Sequence, residues 1–117
     1  MKNLLLIILS ILFSNVLFSQ SVDGVELIDL REQYVSIDCV ARSISSYSVL
    51  VDFGQETKLI KAKNQELLDE SGMPLRVNSP TKALNLMYKY GYEVLEVFQH
   101  DGECSYLLKR RVGFDVQ

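Results

Sequence analysis

The side chains in this sequence that could do chemistry are few and scattered. Its one histidine, His100, stands close to Asp101 and Glu103 around Gly102. An imidazole with two carboxylates can hold a metal weakly or relay a proton. Either role needs enclosure and further partners that orient the ring. The trio falls at the tip of a turn between two alternating runs, so it reads as solvated turn residues. Cys39 and Cys104 are the only cysteines. With one distant histidine they fall short of a zinc set. His100 and Cys104 are four apart, a spacing that converges on a helix and not on strands. No nucleophile–base pair can be assembled from them. There is no phosphate loop, Cys-x-x-Cys, paired-histidine motif or calcium loop. The expectation is therefore a non-catalytic protein with no catalytic, cofactor-binding or metal residues.

The compartment is written at the N-terminus. Met1, Lys2 and Asn3 precede an apolar run from Leu4 to Phe13, and small residues close the segment at Ser19 and Ser21. One positive charge, an apolar stretch and a small-x-small end have the layout of a secretory signal peptide. Ser10, Ser14 and Asn15 interrupt the run, which is short of the roughly 20 apolar residues a membrane span needs. The expected division is a cleaved signal peptide over residues 1–21, an N-terminal arm over 22–33, and one small domain over 34–117. A cut after Ser19, leaving Gln20 first, is an alternative. The mature chain is expected in the periplasm or outside the cell, with no membrane span.

An exported chain with two cysteines permits a disulfide between Cys39 and Cys104. Free thiols packed like small hydrophobes are the alternative, and the sequence leaves both open. The whole chain has a formal net charge of −3. Loss of Lys2 makes the mature chain one unit more negative. An acidic surface disfavours nucleic acid, which attracts concentrated positive charge.

Alternation of apolar and polar residues marks the strands. Tyr34 to Arg42 places Val35, Ile37, Cys39 and Ala41 on one face. Tyr47 to Phe53 places Tyr47, Val49, Val51 and Phe53 on one face after a turn at Ser43–Ser46. A short strand is expected near Val25–Ile28. Between Gln55 and Val77 the pattern is open: a strand at Thr57–Ile60, a helical turn or strand at Asn64–Glu70, a turn over Asp69–Pro74, and an extended Leu75–Val77. A helix over Pro80–Tyr90 is marked by Ser79 as cap, Pro80 at the first position and Gly91 as stop. Ala83, Leu84, Met87 and Tyr88 form its apolar stripe. Asp101-Gly102 then joins Tyr92–Gln99 to Glu103–Arg110 as a hairpin. A two-residue turn pairs Glu93 with Arg110, Leu95 with Leu108, Val97 with Tyr106, Gln99 with Cys104 and His100 with Glu103. Val94, Phe98 and Leu107 are left on the second face. The fold class is α+β: an antiparallel sheet of four to five strands with one principal helix packed on one face.

The run from Ala83 through Leu84-Asn85 to Gly91-Tyr92-Glu93-Val94, closing in Tyr106-Leu107-Leu108-Lys109-Arg110, resembles a group of small bacterial domains of unknown function. Their signature is a Leu-Asn helix, a Gly-Trp-Glu-hydrophobic strand start and a Tyr-x-Leu-Lys-Arg closing strand. Tyr92 stands here where the signature has Trp. The resemblance implies a fold and an exported, uncharacterised relative. It implies no reaction.

Tyr88, Tyr90 and Tyr92 crowd the helix end, and tyrosines suit contact surfaces. With Phe98 and Leu107 they are the candidate partner-binding residues. The alternative is a partly buried aromatic cluster. The expected role is binding of an unknown protein or envelope partner. Self-assembly through strand edges is the alternative, and a small exported enzyme or metal protein is a third class.

Overall fold

In the computed structural model the described residues are 3, 20–56, 64–100 and 103–113. Among these residues the elements follow in the order β1 (Ser21–Val22), β2 (Val25–Glu26), a 3-10 turn (Leu27–Asp29), β3 (Tyr34–Ser43), β4 (Ser46–Asp52), β5 (Arg76–Val77), the α-helix α1 (Pro80–Lys89), β6 (Tyr92–His100) and β7 (Glu103–Arg110). β3 to β7 form one five-stranded antiparallel sheet in the order β5-β4-β3-β7-β6, and β1 and β2 form a separate two-stranded ribbon. This is the α+β class expected, with α1 packed on the sheet. The readings for Thr57–Ile60 and for the Asp101-Gly102 turn lie outside the described residues, as does nearly all of the signal segment.

The inner face of the sheet follows from alternation. Val35, Ile37 and Cys39 on β3 face Leu108, Tyr106 and Cys104 on β7. On the other side Ile37, Cys39 and Ala41 face Val51, Val49 and Tyr47 on β4. Val35, Ile37, Cys39, Val49, Val51 and Leu108 are all buried. Burial of each such side chain is worth roughly 1.5–3 kcal/mol.

What covers this face is only partly the helix. The segment read as an arm belongs to the core: Val22, Leu27 and Leu30 are buried. Gln20 and Ser21 are built in as well. The Leu27 N–H donates to the Gln20 carbonyl at 2.9 Å, and the Ser21 N–H to the Leu68 carbonyl at 3.1 Å. A cut after Ser19 keeps these bonds and a cut after Ser21 removes them. The middle segment adds buried Leu67, whose N–H donates to the Val49 carbonyl at 2.8 Å. The Asp69 carboxylate accepts from the N–H groups of Ser71 and Met73, which closes the turn its composition predicts.

Helix α1 starts where expected. The Ser79 hydroxyl accepts from the Lys82 N–H at 3.4 Å, and Pro80 sits in the first turn. Ala83 and Met87, one turn apart, are the residues it buries. Gly91 ends it at φ +100°, a conformation that side chains rarely adopt.

The hairpin departs from the simple register. Beyond Glu96 the expected partners hold: Val97 faces Tyr106, Gln99 faces Cys104, and His100 pairs with Glu103. A bulge at Leu95 then moves the pairing by one, so Val94 faces Leu108, Glu93 faces Lys109 and Tyr92 faces Arg110. The expected pairs Leu95–Leu108 and Glu93–Arg110 are therefore corrected, and Val94 joins the inner face. The physical reason is plain in the alternation. An unbroken register turns the Glu93 carboxylate inward, where burial without a partner is costly. One extra residue turns Tyr92 inward instead, and Tyr92 is 1% exposed.

Gly91→Ala is expected to cost about 1–3 kcal/mol, because alanine must hold that φ. Urea unfolding checks it, and an unchanged midpoint would contradict the role given to the turn.

Candidate functional site

Two ends of the β6–β7 hairpin have opposite characters. The end nearest the helix is a lock. The Tyr92 hydroxyl donates to the Glu32 carbonyl at 2.8 Å. Arg110, itself buried, donates to the Leu30 carbonyl at 2.8 Å and lies 5.8 Å from the Tyr92 ring centre. The Arg110 N–H donates to the Gln33 carbonyl at 2.8 Å. These contacts fasten residues 30–33 to the sheet. Burial pushes the Tyr92 phenol above its ordinary value, with Arg110 opposing.

Tyr88 and Tyr90 are occupied in similar ways. The Arg111 guanidinium stacks 4.0 Å from the Tyr88 ring centre and donates to the Tyr88 carbonyl at 3.0 Å. The Tyr90 hydroxyl donates to the Gln20 side chain at 2.9 Å. Burial raises the Tyr90 phenol, with Glu70 and Glu26 adding to it. The three tyrosines make three different contacts: Tyr88 is 52% exposed beneath the Arg111 guanidinium, and Tyr90 is half-buried. Tyr92 in particular is core.

The far end of the hairpin is open. Val97 is 56% exposed although it lies on the inner face, because nothing among the described residues packs over it as Met87 does over the near end. Val94 and Leu95 are 43% and 51% exposed. On the outer face Phe98 is 48% exposed, and Leu107 lies diagonally beside it, partly buried. Phe98 and Leu107 are thus brought together and separated from Tyr88, Tyr90 and Tyr92. β6 is also the sheet edge, and no strand is paired to its outer side among the described residues. Exposed apolar side chains on both faces of an unpaired edge are the features a docking strand uses. Alternation alone places Val97 on the inner face, toward the core. The overlooked signal is length: a helix of ten residues spans about 15 Å, while a nine-residue strand runs about 30 Å.

The inner row beyond Val97 holds the sulfurs. Cys39 and Cys104 are direct cross-strand partners, and both thiols are free. Cys39 is buried and Cys104 half-buried. The Gln99 amide donates to the Cys104 sulfur at 3.6 Å. Burial pushes the Cys39 thiol up to about 11, with Cys104 and Asp38 adding to it. Burial and the neighbouring Cys104 likewise raise the Tyr106 phenol.

A groove of about 560 Å³ lies beside the start of α1, lined by Arg76, Asn78, Ser79, Thr81, Lys82 and Asn85 among others. Its guanidinium is already paired: Arg76 meets Glu66 at 3.0 Å. Among the described residues no three His, Cys, Asp or Glu side chains are grouped to hold a metal, and no helix is long and apolar enough to cross a membrane. His100 is placed only as the last residue of β6, paired through its backbone with Glu103. Comparison with family models, curated proteins and solved structures gives no match to this chain.

The Cys39 thiol gives the domain an alkaline dependence. The unfolded chain carries an ordinary thiol near 9.0 and the folded one near 11. Stability from this group is complete below pH 9 and is lost as pH rises through 11, because the unfolded chain releases its proton first. In reductant, the stability advantage of the wild type over Cys39→Ala is expected to shrink by roughly 2 kcal/mol between neutral pH and about pH 11. An advantage constant across that range contradicts a buried thiol.

Proposed function

We propose that this chain is an exported, non-catalytic binding module whose contact surface is the open end of the β6–β7 hairpin. The observation that carries the reading is the exposure of Val94, Leu95, Val97 and Phe98 along one unpaired edge strand. Export rests on the layout of residues 1–21, and the absence of assembled catalytic groups in the sequence motivates a role in binding. The resemblance to small bacterial domains without an assigned reaction is compatible with such a module.

The partner is a protein segment in extended form that adds a strand to β6. Main-chain groups supply affinity in that mode, and pockets for alternate side chains supply selectivity. Glu93 and Glu96 are exposed on the outer face of β6. They favour a segment that carries basic residues between its apolar ones. The same carboxylates argue against the alternative, self-assembly by edge pairing. Two copies of β6 laid side by side bring like charges together, which is destabilising.

Phe98→Ala and Leu107→Ala should each weaken capture of the envelope partner while leaving the unfolding free energy from urea titration within about 1 kcal/mol of wild type, as expected for partly exposed positions. Unfolding by both changes makes that face core and removes the support for the reading. Light scattering separates the alternative: growth in mass with concentration favours assembly of copies, and a constant monomer excludes it.

A further inference from the structure

Cys39 and Cys104 are far apart in sequence and face each other directly across β3 and β7. Directly opposed residues of an antiparallel pair lie about 4.5–5.5 Å apart between Cα atoms. Disulfides bridge Cα separations of about 4.4–6.8 Å. Both thiols are free in this structure, and both lie on the inner face. They differ in access. Cys39 is enclosed by the core, whereas Cys104 sits in the row that the helix leaves open, beside exposed Gln99.

We propose that Cys39 and Cys104 form a dithiol site that exchanges with a disulfide-bearing oxidant, Cys104 reacting first and Cys39 closing the bond. This goes beyond partner binding and does not depend on it.

The chemistry balances in two steps. Cys104 releases its proton, and its sulfur bonds to one sulfur of the oxidant's disulfide. The oxidant's other sulfur leaves as a thiolate and takes up a proton. The Cys39 thiol then releases its proton, and its sulfur attacks the Cys104 sulfur. The bond from Cys104 to the oxidant breaks, and the second oxidant thiolate leaves and is protonated. Two protein thiols lose two electrons to one disulfide, and the oxidant's disulfide becomes two thiols.

The order of attack follows from burial. With its pKa raised to about 11, Cys39 carries roughly 100-fold less thiolate at neutral pH than an ordinary, solvated thiol at 9.0 would, and only the thiolate attacks. Cys39 is therefore a poor first nucleophile toward anything in solution. Once Cys104 carries a mixed disulfide, the target lies beside Cys39, and proximity offsets its low thiolate fraction. The finished bond ties β3 to β7 across most of the domain's sequence, so the oxidised form should resist denaturant better than the reduced form.

The test uses the full chain, reduced and then treated with oxidised glutathione, followed by intact mass and a non-reducing peptide map. The wild type is expected to lose two hydrogens and to yield one linked peptide pair containing Cys39 and Cys104. Cys39→Ser is expected to stop with one glutathione on Cys104. Cys104→Ser should react at least about 10-fold more slowly than that, because only the buried thiol remains. A wild type that stays reduced or accumulates glutathione without the internal bond overturns the proposal, whatever the variants do. Equal reactivity of the two serine variants overturns the assigned order.

Discussion

A ten-residue helix rises about 15 Å, and the hairpin it packs against is about twice as long. That mismatch organises the whole inner face. Over the near end, Ala83 and Met87 meet the sheet, and Tyr92 and Leu108 are buried beneath them. The chain's beginning and middle add Val22, Leu27, Leu30 and Leu67 to the same core. Over the far end of β6 there is no third cover among the described residues, so Val97 is left half in water. The contact surface proposed for a partner and the half-open thiol row are two consequences of one short helix.

The near end carries a different burden. Gly91 must turn the chain from helix to strand, and Tyr92 must enter the core immediately after it. The bulge at Leu95 lets this happen while the rest of the hairpin keeps the register of its turn. Arg110 completes the junction by reaching the Leu30 carbonyl from a buried position. Net hydrogen bonds contribute about 1 kcal/mol each, but a buried carbonyl left without its donor costs more. Gly91, Tyr92 and Arg110 are thus the residues that hold helix, arm and sheet together. Their roles here are structural and suggest no chemistry.

Much of the fold is legible in the sequence because the signals are local. Strand alternation at Val35, Ile37 and Cys39, the Ser79-Pro80 helix start and the Gly91 stop each need only a few neighbouring residues. The register of the hairpin was legible from its turn as far as Glu96. Beyond it, a core residue had to be chosen between Glu93 and Tyr92, and that choice is made by packing against Arg110 and α1. The arm hid its role for the same reason: Val22, Leu27 and Leu30 show no strong period, and their burial depends on a surface built later in the chain. The tyrosines were grouped by closeness in sequence, yet their partners are Gln20, Glu32 and Arg111, all distant or on other elements. Of the proposed contact residues, only Phe98 and Leu107 share a face, and exposed Val97 adds to them from the other side.

The proposed function requires that another chain covers the far end of β6 in use. A photo-reactive residue placed at Val97 or Phe98, with Ile44 and Asp52 as exposed positions elsewhere, tests it in intact cells making the protein. One discrete cross-linked product is expected from both β6 positions and none from Ile44 or Asp52. Equal yields at all four positions, or none at β6, would contradict it.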